Sequence, residues 1–237
     1  MMHRMRLLSF NIHGGRSRDG QRDLRRVHDL MDRFDVDIGV FQEMETRPSR
    51  GGCAADMDTL AGASRPYRFF GANLKEAEGW FGNLVASRYP LLRSLQHTLE
   101  TKRKYEPRSA IDVLSETPLG KIRIVGTHLS LSPFERHSQA QQLIELMAVV
   151  EREEKNPLLL MGDINEWMRP SKLLRFLDSR MTPAPCKATF PACLPLLRLD
   201  RVWYDAQGFR VTAHRLADRQ SRVLSDHLPV LVEIARD

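Results

Sequence analysis

Polar residues that can bind metal ions or move protons stand at the ends of apolar segments, from residue 11 to residue 227. One such residue would carry little weight, but the arrangement recurs along the chain and indicates one site assembled by the whole fold. The groups are Asn11, Gln42-Glu43, Thr127-His128-Leu129, Gly162-Asp163-Ile164-Asn165, Leu199-Asp200-Arg201 and Ser225-Asp226-His227.

Oxygen ligands dominate these groups, and they favour a hard divalent metal ion. Zinc sites prefer histidine and cysteine at short spacing, a pattern that the sequence lacks. Carboxylate and amide oxygens suit Mg²⁺, with Mn²⁺ as a possible substitute. Glu43 is the natural ligand, and Asn11 and Asp226 are the candidates that would complete the shell. Because Mg²⁺ keeps waters and accepts substrate phosphate oxygens, these residues predict a phosphoester site.

Phosphodiester hydrolysis needs a metal ion, a group that orients and deprotonates water, a cation or donor near the phosphate, and help for the leaving oxygen. The acids, amides and histidines of the six groups supply each of these, and Arg108 is a possible partner. A histidine with a pKa near neutrality can stabilise or protonate phosphate oxygens, and a carboxylate behind it would fix its orientation.

A serine hydrolase is the competing interpretation, because Ser225, Asp226 and His227 are adjacent. Adjacent side chains generally point in different directions, whereas the members of a catalytic triad meet from distant parts of a chain. The sequence also lacks the GxSxG turn that presents a nucleophilic serine. The trio therefore favours a shared role in the metal site over a triad.

The apolar pattern predicts strands and helices that alternate along the chain and position these groups. Predicted helices cover Arg22–Phe34 and Phe134–Glu154, and a hairpin turns at Thr117-Pro118-Leu119-Gly120. The predicted strands are Met5–Ile12, Asp37–Gln42, Phe81–Ser87, Leu91–Leu99, Ser109–Ser115, Lys121–His128, Pro157–Gly162, Arg198–Trp203, Phe209–His214 and Leu228–Ile234.

Two segments of the chain repeat one pattern. Leu7–Ile12, a helix and Ile38–Glu43 are similar to Ile122–Leu129, a helix and Leu158–Asn165. In each half, two strands separated by a helix carry polar side chains at their carboxyl ends. Packing the halves sheet to sheet would bring four polar ends to one rim, although the residue identities hardly match.

Bulk properties bound the class of protein. The 237 residues fit a single domain spanning 1–237, and 42% hydrophobic residues provide a full core. The net charge of +6 suits a polyanionic partner such as nucleic acid, or an anionic membrane surface. The excess is diffuse, so the basic groups, one between Arg16 and Arg26 and the other Lys102-Arg103-Lys104, are equally consistent with solvated faces.

Cysteine usage and hydropathy indicate the compartment. The three cysteines do not form a disulfide framework, which favours a reducing compartment, although an incidental Cys186–Cys193 pair stays open. The chain contains neither the apolar core of a signal peptide nor a segment that could span a membrane. We therefore expect a cytoplasmic protein, and a monomer.

The ordered motifs resemble those of the endonuclease/exonuclease/phosphatase superfamily, which has the deoxyribonuclease I-like fold. The resemblance covers nearly the whole chain and implies an α/β fold, a four-layer sandwich of two packed mixed β-sheets flanked by helices. It is carried by Ser9-Phe10-Asn11, Phe41-Gln42-Glu43, Gly82-Asn83, Ser87-Arg88-Tyr89-Pro90, Glu106-Pro107-Arg108, Thr127-His128-Leu129, Gly162-Asp163-Ile164-Asn165, Leu199-Asp200-Arg201-Val202 and Ser225-Asp226-His227.

The resemblance also implies a role for each residue. Glu43 would be the principal Mg²⁺ ligand with Asn11 beside it, and Asp226 would support the metal. Asp163 would orient or deprotonate the attacking water, and Asn165 would hold the water or a phosphate oxygen. The remaining contacts would be made by His227 to the scissile phosphate with Asp200 behind it, by His128 on the leaving side, and by Arg108 to phosphate or as a brace.

Each residue also has a purely structural interpretation. Asn11 and Asp163 could cap the segments that follow them, and His128 could be a satisfied core histidine. Asn83 is predicted to be a turn residue outside the catalytic set, and Trp167 is predicted to pack beneath the site. The joint pattern, not any single residue, favours a phosphoester hydrolase.

Departures from the family pattern narrow the substrate. Abasic-site endonucleases of the family carry an acidic residue where this chain has His13, and a tyrosine where it has His128. The sequence is closer to compact bacterial members near the sphingomyelinase-like and general phosphodiesterase branches. We predict a Mg²⁺-dependent phosphodiesterase acting on nucleic acid or a phospholipid headgroup. The alternative is a catalytically silent phosphate- or nucleic-acid-binding protein that retains the fold.

Overall fold

The computed structural model describes residues 4–100, 106–153, 155–168 and 170–237. The basic group Lys102-Arg103-Lys104 lies outside these ranges. Within them, no helix combines the length and the apolar character needed to cross a membrane. All three cysteines are free thiols, so Cys186 and Cys193 do not pair.

Strands form most of the fold, with helices in the connections between them. The helices are α1 (Arg25–Arg33), α2 (Asp56–Ala61), α3 (Pro133–Glu153), α4 (Lys172–Asp178) and α5 (Ser221–Leu224). The strands are β1 (Arg4–Asn11), β2 (Ile38–Glu45), β3 (Tyr67–Glu76), β4 (Gly79–Ser87), β5 (Leu91–Leu99), β6 (Arg108–Thr117), β7 (Gly120–His128), β8 (Leu158–Asp163), β9 (Thr182–Ala184), β10 (Asp200–Asp205), β11 (Phe209–Arg215) and β12 (Val230–Arg236).

The strands form two six-stranded sheets with matching topology. The first sheet has the order β11-β12-β1-β2-β4-β3, and the second has the order β5-β6-β7-β8-β10-β9. In each sheet the central pair is parallel, β1 with β2 and β7 with β8, and the other pairs are antiparallel. Parallel strands need a crossover connection, which α1 and α3 provide. The predicted repeat of strand, helix and strand is therefore present in the topology.

Alternation along the central strands creates the layers. Successive residues of a strand point to opposite faces, so Leu7 packs between the sheets and Leu8 packs under α1. In β8, Leu159 and Met161 likewise face the first sheet, whereas Leu160 packs under α3. Strands buried on both faces carry continuous apolar runs, which explains the sequence of these segments. The predicted four-layer α/β sandwich of two mixed sheets flanked by helices is confirmed.

Asn83 departs from its prediction as a turn residue. It lies inside β4, is buried, and donates from Nδ2 to the Ser109 carbonyl at 3.1 Å. The preceding Gly82 marks a close approach of the chain, because a Cβ there would lie 2.0 Å from the Gly71 carbonyl oxygen. The glycine therefore serves the β3–β4 contact and not a turn.

Candidate active site

The carboxyl ends of both parallel pairs meet at one cavity of about 490 Å³. Asn11 and Asp163, which end β1 and β8, are joined directly, since Asn11 Nδ2 lies 3.0 Å from Asp163 Oδ2. The structure thus brings together every predicted site residue. Two of them, Asn11 and Asp200, lie just behind the wall, and those that line the cavity are Glu43, Arg108, His128, Asp163, Asn165, Asp226 and His227.

Unusual backbone angles aim several of these side chains. Four residues other than glycine have positive φ angles, and three of them line the cavity: His13 (φ 49°), Glu43 (φ 58°) and Asn165 (φ 53°). Glu43 lies where the β2–β4 register shifts, so its side chain leaves the strict alternation of the strand. Left-handed backbone in such residues is unfavourable, and its concentration here indicates a functional constraint.

Gly162 explains why the Gly-Asp-x-Asn motif begins with glycine. Its φ is 148°, and a Cβ would lie 1.9 Å from the Thr127 carbonyl oxygen of β7. The close approach of β7 and β8 therefore requires a residue without a side chain. It places the next residue, Asp163, in register with His128.

Asn11 connects the two strand pairs. Its Nδ2 donates to Glu43 Oε1 at 2.9 Å and to Asp163 Oδ2 at 3.0 Å. Its Oδ1 accepts from the backbone N–H of His13 at 3.1 Å, so the capping role considered from the sequence is present as well. The amide nitrogen faces the carboxylates, which makes Asn11 a positioning residue, and ligation through its oxygen stays a prediction.

Glu43 and Asp226 form the open side of the cavity, with side chains that are 25% and 39% exposed. Burial opposes ionisation of Glu43, but contacts with His13 and Asn11 outweigh it and lower its pKa to about 2. The carboxylate is therefore charged at neutral pH and available to a cation. The nearby Glu43 side chain in turn raises the pKa of His13 above its usual value, against the effect of burial.

The donor set fits a hard divalent ion. Among the described residues that line the cavity, four are carboxylates and Arg108 alone is a lysine or arginine. A phosphate entering this surface would be repelled unless a cation compensated the charge. Carboxylate oxygens open to solvent are also the ligands that Mg²⁺ prefers.

His227 lies between two buried carboxylates. Its Nδ1 is 2.9 Å from Asp200 Oδ2, and its Nε2 is 3.6 Å from Asp163 Oδ2. Burial lowers the pKa of His227, but Asp200 and Asp163 outweigh it and raise the value to about 10. These three side chains offer atoms within 4.8 Å of one another and could themselves hold a metal. With Nδ1 bonded to Asp200, the geometry describes an imidazolium that is held in place.

Asp163 is the most enclosed carboxylate of the cavity wall, with a side chain only 1% exposed. Burial raises its pKa to about 6, although His227 and Asn11 act in the opposite direction. Its Oδ1 accepts the backbone N–H of Asn165 at 3.0 Å, which fixes the turn after β8. A carboxylate that gains and loses its proton near neutrality is suited to act as a general base.

His128 is neutral, because burial and then the Arg108 charge lower its pKa to about 3. Arg108 Nη1 lies 3.3 Å from Nδ1, and a guanidinium can only donate, so Nδ1 accepts and the proton is on Nε2. Nε2 lies 3.5 Å from Asp163 Oδ2, while Asn165 Nδ2 donates to the Leu129 carbonyl at 3.0 Å. His128 belongs to the site and is not an isolated core histidine.

Trp167 does not pack beneath the site, contrary to its prediction. It is 43% exposed at the rim, because the buried guanidinium of Arg136 occupies the space below it, 4.7 Å from the ring centroid. Leu131, 63% exposed, lines the same wall. Sequence reasoning did not assign His13 or Phe190 to the cavity. The Gly14-Gly15 pair after His13 was the available signal of a tight turn.

Known proteins share both the sequence pattern and the fold. A model of the family described as Endonuclease/Exonuclease/phosphatase family matches residues 8–227. YbhP of Escherichia coli K12, described as an uncharacterized protein, is 32% identical over 247 residues, covering 97% of this chain and 95% of YbhP.

Two solved structures illustrate the shared fold. The mannosyl-6-phosphatase Bt3783 of Bacteroides thetaiotaomicron aligns with a TM-score of 0.76 at 17% identity, over 97% of this chain and 99% of that one. The human nocturnin catalytic domain, solved with bound sulfate, aligns with a TM-score of 0.76 at 18% identity, over 99% and 94%. At these identities the likeness shows a common two-sheet sandwich.

Proposed function

The chain belongs to the endonuclease/exonuclease/phosphatase family, and from this membership we propose that it is a Mg²⁺-dependent phosphodiesterase, with Mn²⁺ as a substitute. The family comprises phosphoesterases and nucleases. One observation carries the proposal. Asp163, whose pKa is about 6, lies between Asn11 of the acidic side at 3.0 Å and the His227 imidazole at 3.6 Å. A base is thus placed between the side suited to a metal and the side suited to a phosphate.

Glu43 and Asp226 would hold the metal ion, with Asn11 orienting the Glu43 carboxylate. A bound Mg²⁺ supplies charge neutralisation for the phosphate and lowers the pKa of a bound water. The excess of carboxylates over arginine in the cavity makes such a cation necessary for binding a phosphodiester.

The residues of the second sheet would handle the water and the phosphate. Asp163 would orient the attacking water and take its proton, and Asn165 would hold that water or a phosphate oxygen. His227 would donate from Nε2 to a non-bridging oxygen as an imidazolium, and the Asp200 contact at 2.9 Å would keep it charged and oriented. Preorganised donors of this kind stabilise charge that develops in the transition state.

His128 and Arg108 would act on the leaving side. Because His128 is neutral, it would serve as an N–H donor through Nε2 and not as a carrier of an acidic proton. Arg108 is buried, contacts His128 Nδ1, and pairs with Glu106 at 2.5 Å. It would fix the tautomer of His128 and brace the wall against which the phosphate binds.

A phospholipid-type phosphodiester is the favoured substrate class over nucleic acid. Apolar side chains surround the mouth of the cavity, with Leu131 63%, Phe134 88% and Met168 52% exposed. Exposed apolar patches at a site mouth are typical of contact with apolar or membrane partners. Two arginines of the basic N-terminal group are neutralised, because Arg22 pairs with Asp56 and Arg26 pairs with Asp19.

A substrate panel tests the function. The protein is incubated with Mg²⁺ and phosphatidylcholine or sphingomyelin vesicles, bis(p-nitrophenyl) phosphate, a sugar phosphate, plasmid, single-stranded DNA and RNA, with Glu43→Gln as the matched control. We expect Glu43-dependent turnover, with vesicles favoured. Nucleic-acid cleavage that weakens steeply between about 50 mM and 200 mM salt would instead assign a polyanionic substrate. Absence of turnover of every substrate with Mg²⁺ or Mn²⁺ would overturn the enzymatic proposal.

The silent binding protein is the alternative, and the intact set of acids, amides and histidines argues against it. A protein selected only to bind phosphate has no need of a buried carboxylate with a pKa of about 6 beside the anion. We propose further that residues 1–237 form one catalytic unit that acts as a cytoplasmic monomer. Sedimentation of the purified protein tests the monomeric state.

A further inference from the structure

We propose that His13 is a direct nitrogen ligand of the metal ion, beside Glu43 and Asp226, and that it makes the site bind Mn²⁺ more tightly than Mg²⁺. This role presupposes the metal centre of the proposed function and adds the residue that selects its ion. His13 lies outside the set of residues that the sequence motifs identify.

The position of the imidazole supports ligation. Nδ1 of His13 lies 3.7 Å from Glu43 Oε2 and 3.7 Å from Asp226 Oδ2, so it stands between the two carboxylates. Both separations are longer than hydrogen bonds. Two ligands that each lie about 2.1 Å from one ion are about 3.0 Å apart when adjacent and about 4.2 Å apart when opposite. The observed separations fall inside that interval.

The local backbone holds His13 in this position. Its φ of 49° is left-handed, and the two glycines that follow have φ angles of 64° and 78°. Asn11 Oδ1 accepts the backbone N–H of His13 at 3.1 Å, so a residue of the site anchors the turn. The side chain is 49% exposed and lines the cavity, within reach of an ion from solvent.

The other histidines of the cavity are directed elsewhere. His227 is held by Asp200 and Asp163, and His128 by Arg108 and Asp163. His13 is the cavity histidine that faces only the proposed ligands Glu43 and Asp226 among the ion pairs of the described residues. Imidazole nitrogen suits Mn²⁺ and later transition metals, whereas Mg²⁺ is bound almost entirely by oxygen. An imidazole at this place therefore favours Mn²⁺.

Pulsed electron paramagnetic resonance of the Mn²⁺-loaded protein tests the bond directly, because a ligating imidazole gives a nitrogen modulation. We expect this modulation in the wild type, its loss in His13→Asn, and its retention in His214→Gln, which replaces an exposed histidine of β11. Asparagine tolerates positive φ, so His13→Asn preserves the turn. Circular dichroism of each variant verifies the fold.

Competition between Mn²⁺ and Mg²⁺, followed by calorimetry, gives a second measure. Replacing the nitrogen by a carboxylate in His13→Asp should lower the preference for Mn²⁺ at least about 10-fold, the lower range for perturbing a metal site. Modulation that persists in His13→Asn, with an unchanged preference in His13→Asp, would refute ligation by His13. If the wild type turns over a phosphodiester with Mg²⁺ but shows no nitrogen modulation, the proposed function stands and His13 ligation fails. Absence of both metal binding and turnover would overturn the two together.

Discussion

The two parallel strand pairs at the centre of the sheets share one architecture and carry different chemistry. Each pair is joined by a helix, flanked by antiparallel strands, and ends in polar residues at the same cavity. The first pair, β1 with β2, presents Asn11 and Glu43. The second pair, β7 with β8, presents His128 and Asp163. Matching backbones therefore do not impose matching functions.

Burial accounts for the difference between the two carboxylates. The Glu43 side chain is 25% exposed and its pKa is about 2, whereas that of Asp163 is 1% exposed and its pKa is about 6. Environments that separate the pKa values of two acids assign them different roles. The permanently charged carboxylate is suited to a metal, and the one that titrates near neutrality is suited to a proton.

Replacing the base of the second pair should have the largest effect. Asp163→Asn removes the proton acceptor and keeps the shape of the side chain, so kcat should fall about 10²–10⁴-fold. Metal affinity should change little, and added Mg²⁺ should not restore the rate. Steady-state kinetics across a metal titration provides the measurement. A rate that recovers with Mg²⁺ would place Asp163 among the metal ligands and erase the distinction between the pairs.

Replacing the acid of the first pair should have a large effect of another kind. Glu43→Gln removes the charged ligand, so the rate at low Mg²⁺ should fall at least about 10²-fold. Part of the loss should return at high metal concentration, because Asp226 remains. Calorimetric Mg²⁺ binding should weaken in parallel. If binding is unchanged while the rate falls, Glu43 acts on the proton and the assignment is reversed.

Asn11 is the residue through which the two pairs are expected to communicate. Asn11→Ala removes hydrogen bonds to both Glu43 and Asp163, so metal affinity and kcat should each fall about 10–100-fold, the range for residues that orient metal ligands. Calorimetry and kinetics on the same preparation separate the two effects. A change confined to one of these quantities would confine Asn11 to one pair.

The pH profile should show the smallest change, a displacement of its limbs. Asp163 must be ionised, so kcat/KM should rise with pH through about 6, and His227 must be protonated, so it should fall above about 10. Asp200→Asn removes a negative charge that raises the pKa of His227. The upper limb should therefore move to lower pH while the lower limb moves less. An upper limb that does not move would show that Asp200 does not hold the imidazolium.

The convergence of four strand ends was predictable from the sequence, because apolar runs that end in polar residues follow directly from parallel strands buried on both faces. The position of Trp167 was not, since it depends on Arg136, which fills the space below the ring from a distant helix. The inclusion of Asn83 in a strand depends on the Gly82–Gly71 approach, a contact between two strands. His13 was missed because a left-handed turn, not periodicity, directs it into the cavity.

The left-handed backbone of His13, Glu43 and Asn165 has a consequence for any attempt to improve this protein by selection. Each of these conformations disfavours the folded state by about 1–2 kcal/mol relative to an ordinary one. Glycine would relieve it, so a screen for heat resistance alone would reward substitutions at the residues that line the cavity. A protein library sorted only by melting temperature would therefore drift toward stable variants that do no chemistry.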